Sequence, residues 1–561
     1  MILEIKEQLK KELEAVLTKL NIAAEVIIEN PKEQSLGDVA VPCFRYAQIL
    51  KENPNIIATK IKENFSSDLI EKAEVKNGYL NLFLNKKNIT SQVLKKVIEE
   101  NNNFGNQKIG LNKNIVIDYS SPNIAKPFGV GHLRSTVIGN SIKKIFEKLG
   151  YNTYGINYLG DYGTQFGKII CAYKMWGIKD DVPPIEALRD LYVRFHKEAQ
   201  TNPELEEKGR EWFKKLEDKD EEALKIWEWC REVSLKNFME TYKLLGIEDF
   251  DSYDGEAFFA DKMASVIEEL NNKKLLEIDN GATLVRLGDD LPPALIKRSD
   301  GASLYITRDL AAVLYRKKKY NFDEIIYVVG NEQTLSFKQL KKVIDKMGYS
   351  WFNDIYHISF GMILQDGKRM STRSGKTIDL HSVLLEAIGL AKEYIETKNP
   401  NIDNIDETSR KIGVGAVIFN DLKNYRTKDI DFNLDEILKF EGETAPYIQY
   451  TYARINSMLE NINNIDINMN NININEYIWN IIIRLISFDE VLVNSRINYD
   501  PSLLAKYIID LAQGYNKFYA NEKIIVENNE ETEFKLKLSK ATSIVLKEGM
   551  RILGIEMPIR M

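Results

Sequence analysis

At 561 residues, with 44% hydrophobic and 28% charged side chains, the chain has the make-up of an ordinary folded protein of several domains, not of a disordered or fibrous one. A formal net charge of −7 excludes a general polycation, while leaving room for local basic surfaces on an acidic body. No apolar run approaches the ~18 residues of a membrane span. Cys43, Cys171 and Cys230 are odd in number and far apart, which suggests buried free thiols and neither a disulfide framework nor a thiolate zinc site.

The opening MILEIKEQLKKELEAVL alternates apolar and charged residues at helical spacing, unlike the unbroken apolar core of a secretion signal, and so points to a cytoplasmic protein. Residues 1 to 110 read as a small α+β unit. It has this helix, a polar bend around EQSLGDVAVP, a helix through FRYAQILK, a strand from Tyr79 to Leu84 and a polar linker from Asn101 to Gly110. IVIDYS, from Ile115 to Ser120, is a short β-branched run like a buried parallel strand. After it comes SPNIAKPFGVGHLRST, then Ile138, Ile142, Ile145, Phe146 and Leu149 on one helix face. Strand, long loop and helix form the opening unit of an α/β nucleotide-binding fold.

The alternation returns at Ile325 to Gly330 (IIYVVG), with a helix through FKQLKKVIDKM and a strand at YHISFGMIL. Between the two halves, about 165 to 295 forms a helix-rich insertion whose Trp212, Trp227 and Trp229 are read as packing residues. From about 390 onward the pattern is helical, ending in an amphipathic tail in which Ile544, Leu546, Ile552 and Leu553 mingle with Lys537, Lys540, Lys547 and Arg551. The asparagine-biased NINNIDINMNNININE, Asn461 to Glu476, reads as an inter-helix loop.

Two bends carry the chemistry. A strand feeding a loop and a helix N-terminus presents unpaired N–H groups and the positive helix end, which favours a phosphate. Lys126 and His132 add donors there, and Gly129 and Gly131 allow close approach. The second bend, LQDGKRMSTRSGKTIDL, alternates cations with hydroxyls around Lys368, Arg369, Ser371, Thr372, Arg373, Ser374 and Lys376, as a polyphosphate clamp would. Read alone, His132 could equally be a packed histidine, and the basic run a solvated surface loop.

Together these bends resemble the two signatures of class I aminoacyl-tRNA synthetases, in the variants used by the arginyl enzymes. GDYGTQFG from Gly160, SDGASLYITRDLAA from Ser299, APYIQYTYARI from Ala445 and the terminal RILGIEMPIRM are similar to that family too. The resemblance implies a multidomain α/β architecture. An N-terminal α+β domain that meets the tRNA D-loop (1–110) precedes a class I Rossmann-like catalytic domain with the insertion (111–385) and an all-α anticodon-binding domain (386–561).

It implies an ATP-dependent arginine–tRNA ligase using Mg²⁺ with ATP and no protein-held metal, with L-arginine and tRNA(Arg) as partners, no membrane, and action as a monomer. Lys126, His132, Arg369, Ser371 and Arg373 would be catalytic. Pro127, Gly129, Gly131, His132, Met370 and Ser371 would bind ATP. Gly129 replaces the first signature histidine and Thr372 the second loop lysine, whose charge the family reading gives to Lys126. Glu256, Tyr305 and Asp309 would form the acceptor fork for the guanidinium, with Asn123 and Gln333 at the α-amino and carboxylate end. Tyr79, Asn81, Tyr447, Tyr450, Tyr515, Tyr519 and Met561 are the expected RNA contacts. A small-molecule nucleotidylyltransferase would share the phosphate bends but needs no helical RNA-binding third. A noncatalytic RNA-binding relative would have no use for an intact Lys126, His132 and MSTRSG.

Overall fold

The structure is a computed structural model of the chain. It describes all residues except Pro127, 179–181, 299–304, Asp366, 370–378, Asn401, 460–468 and Asn470; for Gln34, Gln365, Lys368 and Arg369 only the backbone is described.

The N-terminal unit packs helices Ile2–Lys19, Phe44–Leu50, Pro54–Asn64 and Lys86–Glu100 with three antiparallel strands, β1 (Val39–Pro42), β2 (Ile70–Lys76) and β3 (Tyr79–Leu84), in the order β1-β3-β2. The polar bend thus contains a strand. Val39 and Val41 alternate inward and pair with Leu82 and Leu80, so tertiary pairing overrides the turn-like composition. The expected linker is no free tether either: Phe104 is buried and stacks on Phe488 at 6.0 Å.

IVID becomes β4 (Asn114–Asp118), with Ile115, Val116 and Ile117 fully buried. It lies beside the parallel strands β5 (Asn152–Ile156) and, later in the chain, β9 (Glu324–Gly330). Burying each such side chain stabilises the fold by roughly 1.5–3 kcal/mol. Between these strands, helices Thr164–Trp176, Pro184–Ala199, Glu204–Glu217, Glu221–Leu245 and Met263–Asn272 form the insertion. It also holds an unforeseen antiparallel sheet, β6 (Glu277–Asp279), β7 (Ala282–Val285) and β8 (Ala294–Lys297), whose strands are too short for periodicity to reveal. Trp212, Trp227 and Trp229 are half-buried against the core. YHISFGMIL splits at Gly361 into β10 (Ile355–Phe360) and β11 (Ile363–Gln365); the latter pairs with β12 (Lys368–Arg369) and β13 (Ile430–Asp431). The main sheet reads β10-β9-β4-β5, all parallel.

Helix Leu133–Lys148 is buried nearly all round rather than on one face. Its polar ends are sealed by ion pairs to the C-terminal helices: Arg134 Nε to Asp421 Oδ2 at 3.0 Å and Lys148 Nζ to Glu548 Oε1 at 2.9 Å. The C-terminal third is helical as expected, but its last helix, Asn529–Ile552, is a core element with Lys537 buried, rather than an amphipathic surface tail. Asp38 Oδ1 accepts from Trp479 Nε1 at 3.0 Å, docking the N-terminal unit on helix Glu476–Asn498. Most of the asparagine-rich loop lies outside the described residues.

Candidate active site

The chain leaves β4 to return on one side as β5, and later builds β9 and β10 on the other, so the sheet's switch point lies between β4 and β9. Ligands of such sheets bind in the crevice beyond the strands' carboxyl ends at that point. The loop after β4 has left-handed backbone at Ser120, Ser121 and Ala125. Remote hydroxyls hold it. Ser135 Oγ accepts from the Ser120 N–H at 2.9 Å and donates to the Val328 carbonyl of β9 at 2.6 Å, and Ser234 Oγ accepts from the Ala125 N–H at 2.8 Å. Asn123, exposed, forms a backbone bridge to Gly160.

The loop ends in a 3₁₀ turn, Val130–His132, leading into helix Leu133–Lys148, whose N-terminus has no side-chain cap. The His132 and Leu133 N–H groups donate to the Gly129 and Val130 carbonyls of that turn, so what this end offers an anion is the positive end of the helix. Among the described residues beyond its chain neighbours, no atom lies within 4 Å of where a Cβ on Gly131 would sit. The His132 ring lies flat against Phe128, 5.3 Å away and 12° from parallel, with Nδ1 buried and unpartnered. Burial pushes its pKa down to about 4; the Gly129 carbonyl opposes this and the Lys126 charge adds to it, so the imidazole is neutral at pH 7. Lys126 is half-buried, its pKa lowered by burial, with Nζ 5.5 Å from the Tyr192 ring. Among the described residues no carboxylate forms an ion pair with it.

Pro127, Met370, Ser371 and Arg373 lie outside the described residues, and Arg369 is described by its backbone alone, opposite Leu364. Both flanks of the basic loop are fixed. Its start is held by β11, and its end by a backbone bridge between Asp379 and Gly129 and by the Leu380 N–H donating to the Phe128 carbonyl at 2.9 Å. The two bends thus meet.

The carboxyl end of β4 also opens on an acidic pocket. Asp118 accepts from Arg316 at 2.7 Å and from Ser121 Oγ at 2.9 Å. Helix Tyr305–Tyr320 carries Asp309, and Glu256 opens the 3₁₀ helix Glu256–Lys262. Burial raises the Asp309 carboxyl to about 7 against the opposing pull of Arg308 and Arg316, and raises Glu256 likewise to about 7, with Asp309 and Asp161 adding repulsion. Tyr158 places a buried, unpartnered hydroxyl in the same field. Tyr305 shares the helix with Asp309 but is 73% exposed, at the mouth. Gln333 is exposed in the 3₁₀ turn after β9. Such a pocket holds spare acceptors and suits a cation with several donors. Among the described residues no cluster of His, Cys, Asp or Glu could hold a metal ion, and no helix is long and apolar enough to cross a membrane.

The expected RNA contacts divide by exposure. Tyr450 and Tyr519, 42% and 37% exposed, flank the Arg454 guanidinium at 4.7 and 5.0 Å, a cation between two rings on neighbouring helices. Tyr79 is half-buried edge-on to Phe44, and Tyr447 is half-buried. Met561 packs by Ala391, Ile395 and Ile412. One expectation is corrected. Tyr515 is fully buried with its hydroxyl bonded to Ser539 at 2.9 Å, and cannot stack on a base without unpacking the core. Asn81, expected at the tRNA D-loop, is buried in the middle strand of its sheet. Sequence reasoning missed Arg134, Asp421, Tyr158 and Tyr192. Only Arg134 carried a signal, as a charge inside a signature whose helix turned out to be core.

Comparison with known proteins gives the family. Residues 93–434 match the family of class I tRNA synthetases (R), catalytic domain; 448–561 match the DALR anticodon binding domain, and 3–84 the arginyl tRNA synthetase N-terminal domain. The chain is 47% identical to Arginine--tRNA ligase 1 of Bacillus cereus over 100% of both chains, and 49% identical to Arginine--tRNA ligase of Pediococcus pentosaceus over 95% of both. Among solved structures it is similar to the arginyl-tRNA synthetase of Plasmodium falciparum, at 28% identity, TM-score 0.83 and 99% coverage of both chains. The fold also matches that of the Thermus thermophilus enzyme, with TM-score 0.84 at 22% identity over 99% of this chain and 100% of that one. The chain belongs to the class I arginyl-tRNA synthetases, the ligases that join arginine to tRNA(Arg).

Proposed function

We propose that the crevice beyond β4 and β9 performs both steps of arginylation with the residues assembled there. The arginine carboxylate, ionised at neutral pH, attacks the α-phosphate of ATP and pyrophosphate leaves; the adenylate then passes its arginyl group to a hydroxyl of the terminal tRNA ribose. The first step needs no general base. It needs alignment and neutralisation of charge growing on the leaving oxygens. Neutral His132 donates one N–H, Lys126 brings a cation that no described carboxylate pairs, and the helix behind them presents its positive end. Arg369, Ser371 and Arg373 complete the clamp from the second bend, with Met370 lining it. Mg²⁺ arrives with the ATP phosphates.

Asp309, Glu256 and Tyr305 take the guanidinium, and Asn123 and Gln333 the other end of the amino acid. The division into 1–110, 111–385 and 386–561 serves tRNA corner, chemistry and anticodon in turn. Tyr450 and Tyr519, with Tyr79, Tyr447 and Met561, form the RNA-facing set. The protein acts as a cytoplasmic monomer. The observation that carries the reading is the bridge between Gly129 and Asp379, which joins both phosphate bends at the strand end where the acidic pocket opens. An aminoacylation assay with each amino acid and bulk tRNA tests it: arginine alone should be charged, and charging of another amino acid or of none would refute it.

A further inference from the structure

Arg308 immediately precedes Asp309 on helix Tyr305–Tyr320, and its side chain turns into the pocket rather than away from it. Nη1 stands 2.8 Å from Glu256 Oε2, with the side chain only 7% exposed. The guanidinium carbon lies 5.0 Å from the Tyr162 ring and 5.7 Å from the Tyr305 ring. Yet Nε and Nη1 are buried without a well-formed hydrogen bond. The protein thus holds one of its own guanidinium groups against a carboxylate expected to receive the substrate's, in a contact that leaves part of its planar donor fork unused.

We propose that Arg308 is an internal occupant of the guanidinium site, displaced from Glu256 when arginine binds. The inference rests on the reading of Glu256 and Asp309 as substrate contacts. Replacing one guanidinium by another conserves charge on Glu256, and a substrate spanning Glu256 and Asp309 gains the second carboxylate that Arg308 leaves open. An ammonium is a compact point charge whose donors do not match the planar fork, so it binds more weakly while displacing the same side chain. The exposed Tyr305 at the mouth offers the displaced guanidinium an aromatic face on its way to solvent.

The test uses the full chain. Titration calorimetry of Arg308→Gln should show arginine bound about fivefold tighter than by the wild type, because no internal competitor remains. Lysine, displacing the same side chain, should gain by the same factor and leave the arginine-to-lysine ratio unchanged. Weaker or unchanged arginine binding overturns the proposal. Crystal structures of the wild type with and without arginine need no variant: the Arg308 to Glu256 contact should open in the complex, and an intact contact there overturns the proposal. If the wild type charges arginine while the Arg308 to Glu256 contact stays intact in the complex, this inference alone fails; if it charges none, the reading beneath it fails.

Discussion

Gly129 and Asp379 share a backbone bridge although 250 residues separate them, and Asp379 also caps helix Leu380–Lys398 by accepting from the Ser382 N–H at 2.9 Å. One residue therefore ends the basic loop, starts a helix and fixes both to the phosphate bend. Asp379→Ala should cost about 1 kcal/mol of stability through the lost cap. Because the loop end is loosened, the kcat of arginine-dependent pyrophosphate exchange should fall more than arginine affinity. Thermal melts and exchange kinetics, read together, check this.

Lys126 has no carboxylate partner among the described residues, and the second loop carries Thr372 where a lysine would serve. Lys126→Ala should abolish arginine-dependent adenylate formation while leaving the melting temperature nearly unchanged. Loss of one such electrostatic donor costs on the order of 3 kcal/mol in the barrier. An unaltered exchange rate would remove Lys126 from the mechanism.

Asp309→Ala should weaken arginine binding by ~2–4 kcal/mol through the lost charged hydrogen bonds. Calorimetry at constant pH reads this directly.

The pH dependence of binding follows from the raised carboxyls. Both Asp309 and Glu256 titrate near about 7 in the empty protein, and a guanidinium favours their ionised forms. Protons and arginine compete, so affinity is full on the alkaline side and declines as the pH falls through about 7. Stability of the unliganded fold runs the other way. A carboxyl raised above its unfolded value near 4 penalises folding when ionised, so this contribution improves as the pH drops from about 7 toward about 4. Arginine titrations and urea melts across that window should show opposite slopes.

Arg134 and Asp421 are both buried, and each has one atom, Nη2 and Oδ1, without a partner. Burial raises Asp421 to about 6, opposed by the Arg134 charge. Asp421→Ala strands a buried guanidinium and should destabilise the protein by ~3–5 kcal/mol in denaturant melts, whereas replacing both partners with apolar residues should cost far less.

The run IVID was legible as a buried strand because β-branched residues in so short a stretch leave few alternatives. The signature loops were legible because their glycines, prolines and donors are local. Asp309 was singled out by the family resemblance, and helical spacing only sets it on the same face as Tyr305. Partners far apart in the chain were not legible: nothing near Arg134 announces an aspartate 287 residues later. Periodicity reports which face of a helix is apolar, not how many faces become covered; helix Leu133–Lys148 shows one apolar face in the sequence and the final helix an amphipathic pattern, yet both are core. The sequence by itself thus determined the strand, the donor-rich bends and the helical C-terminal third, and its family resemblance named candidates for guanidinium and RNA. Only tertiary packing decided that Tyr515 and Asn81 are sealed away, and that Arg308 lies on Glu256, because burial and ion pairing depend on which surfaces the whole chain brings together.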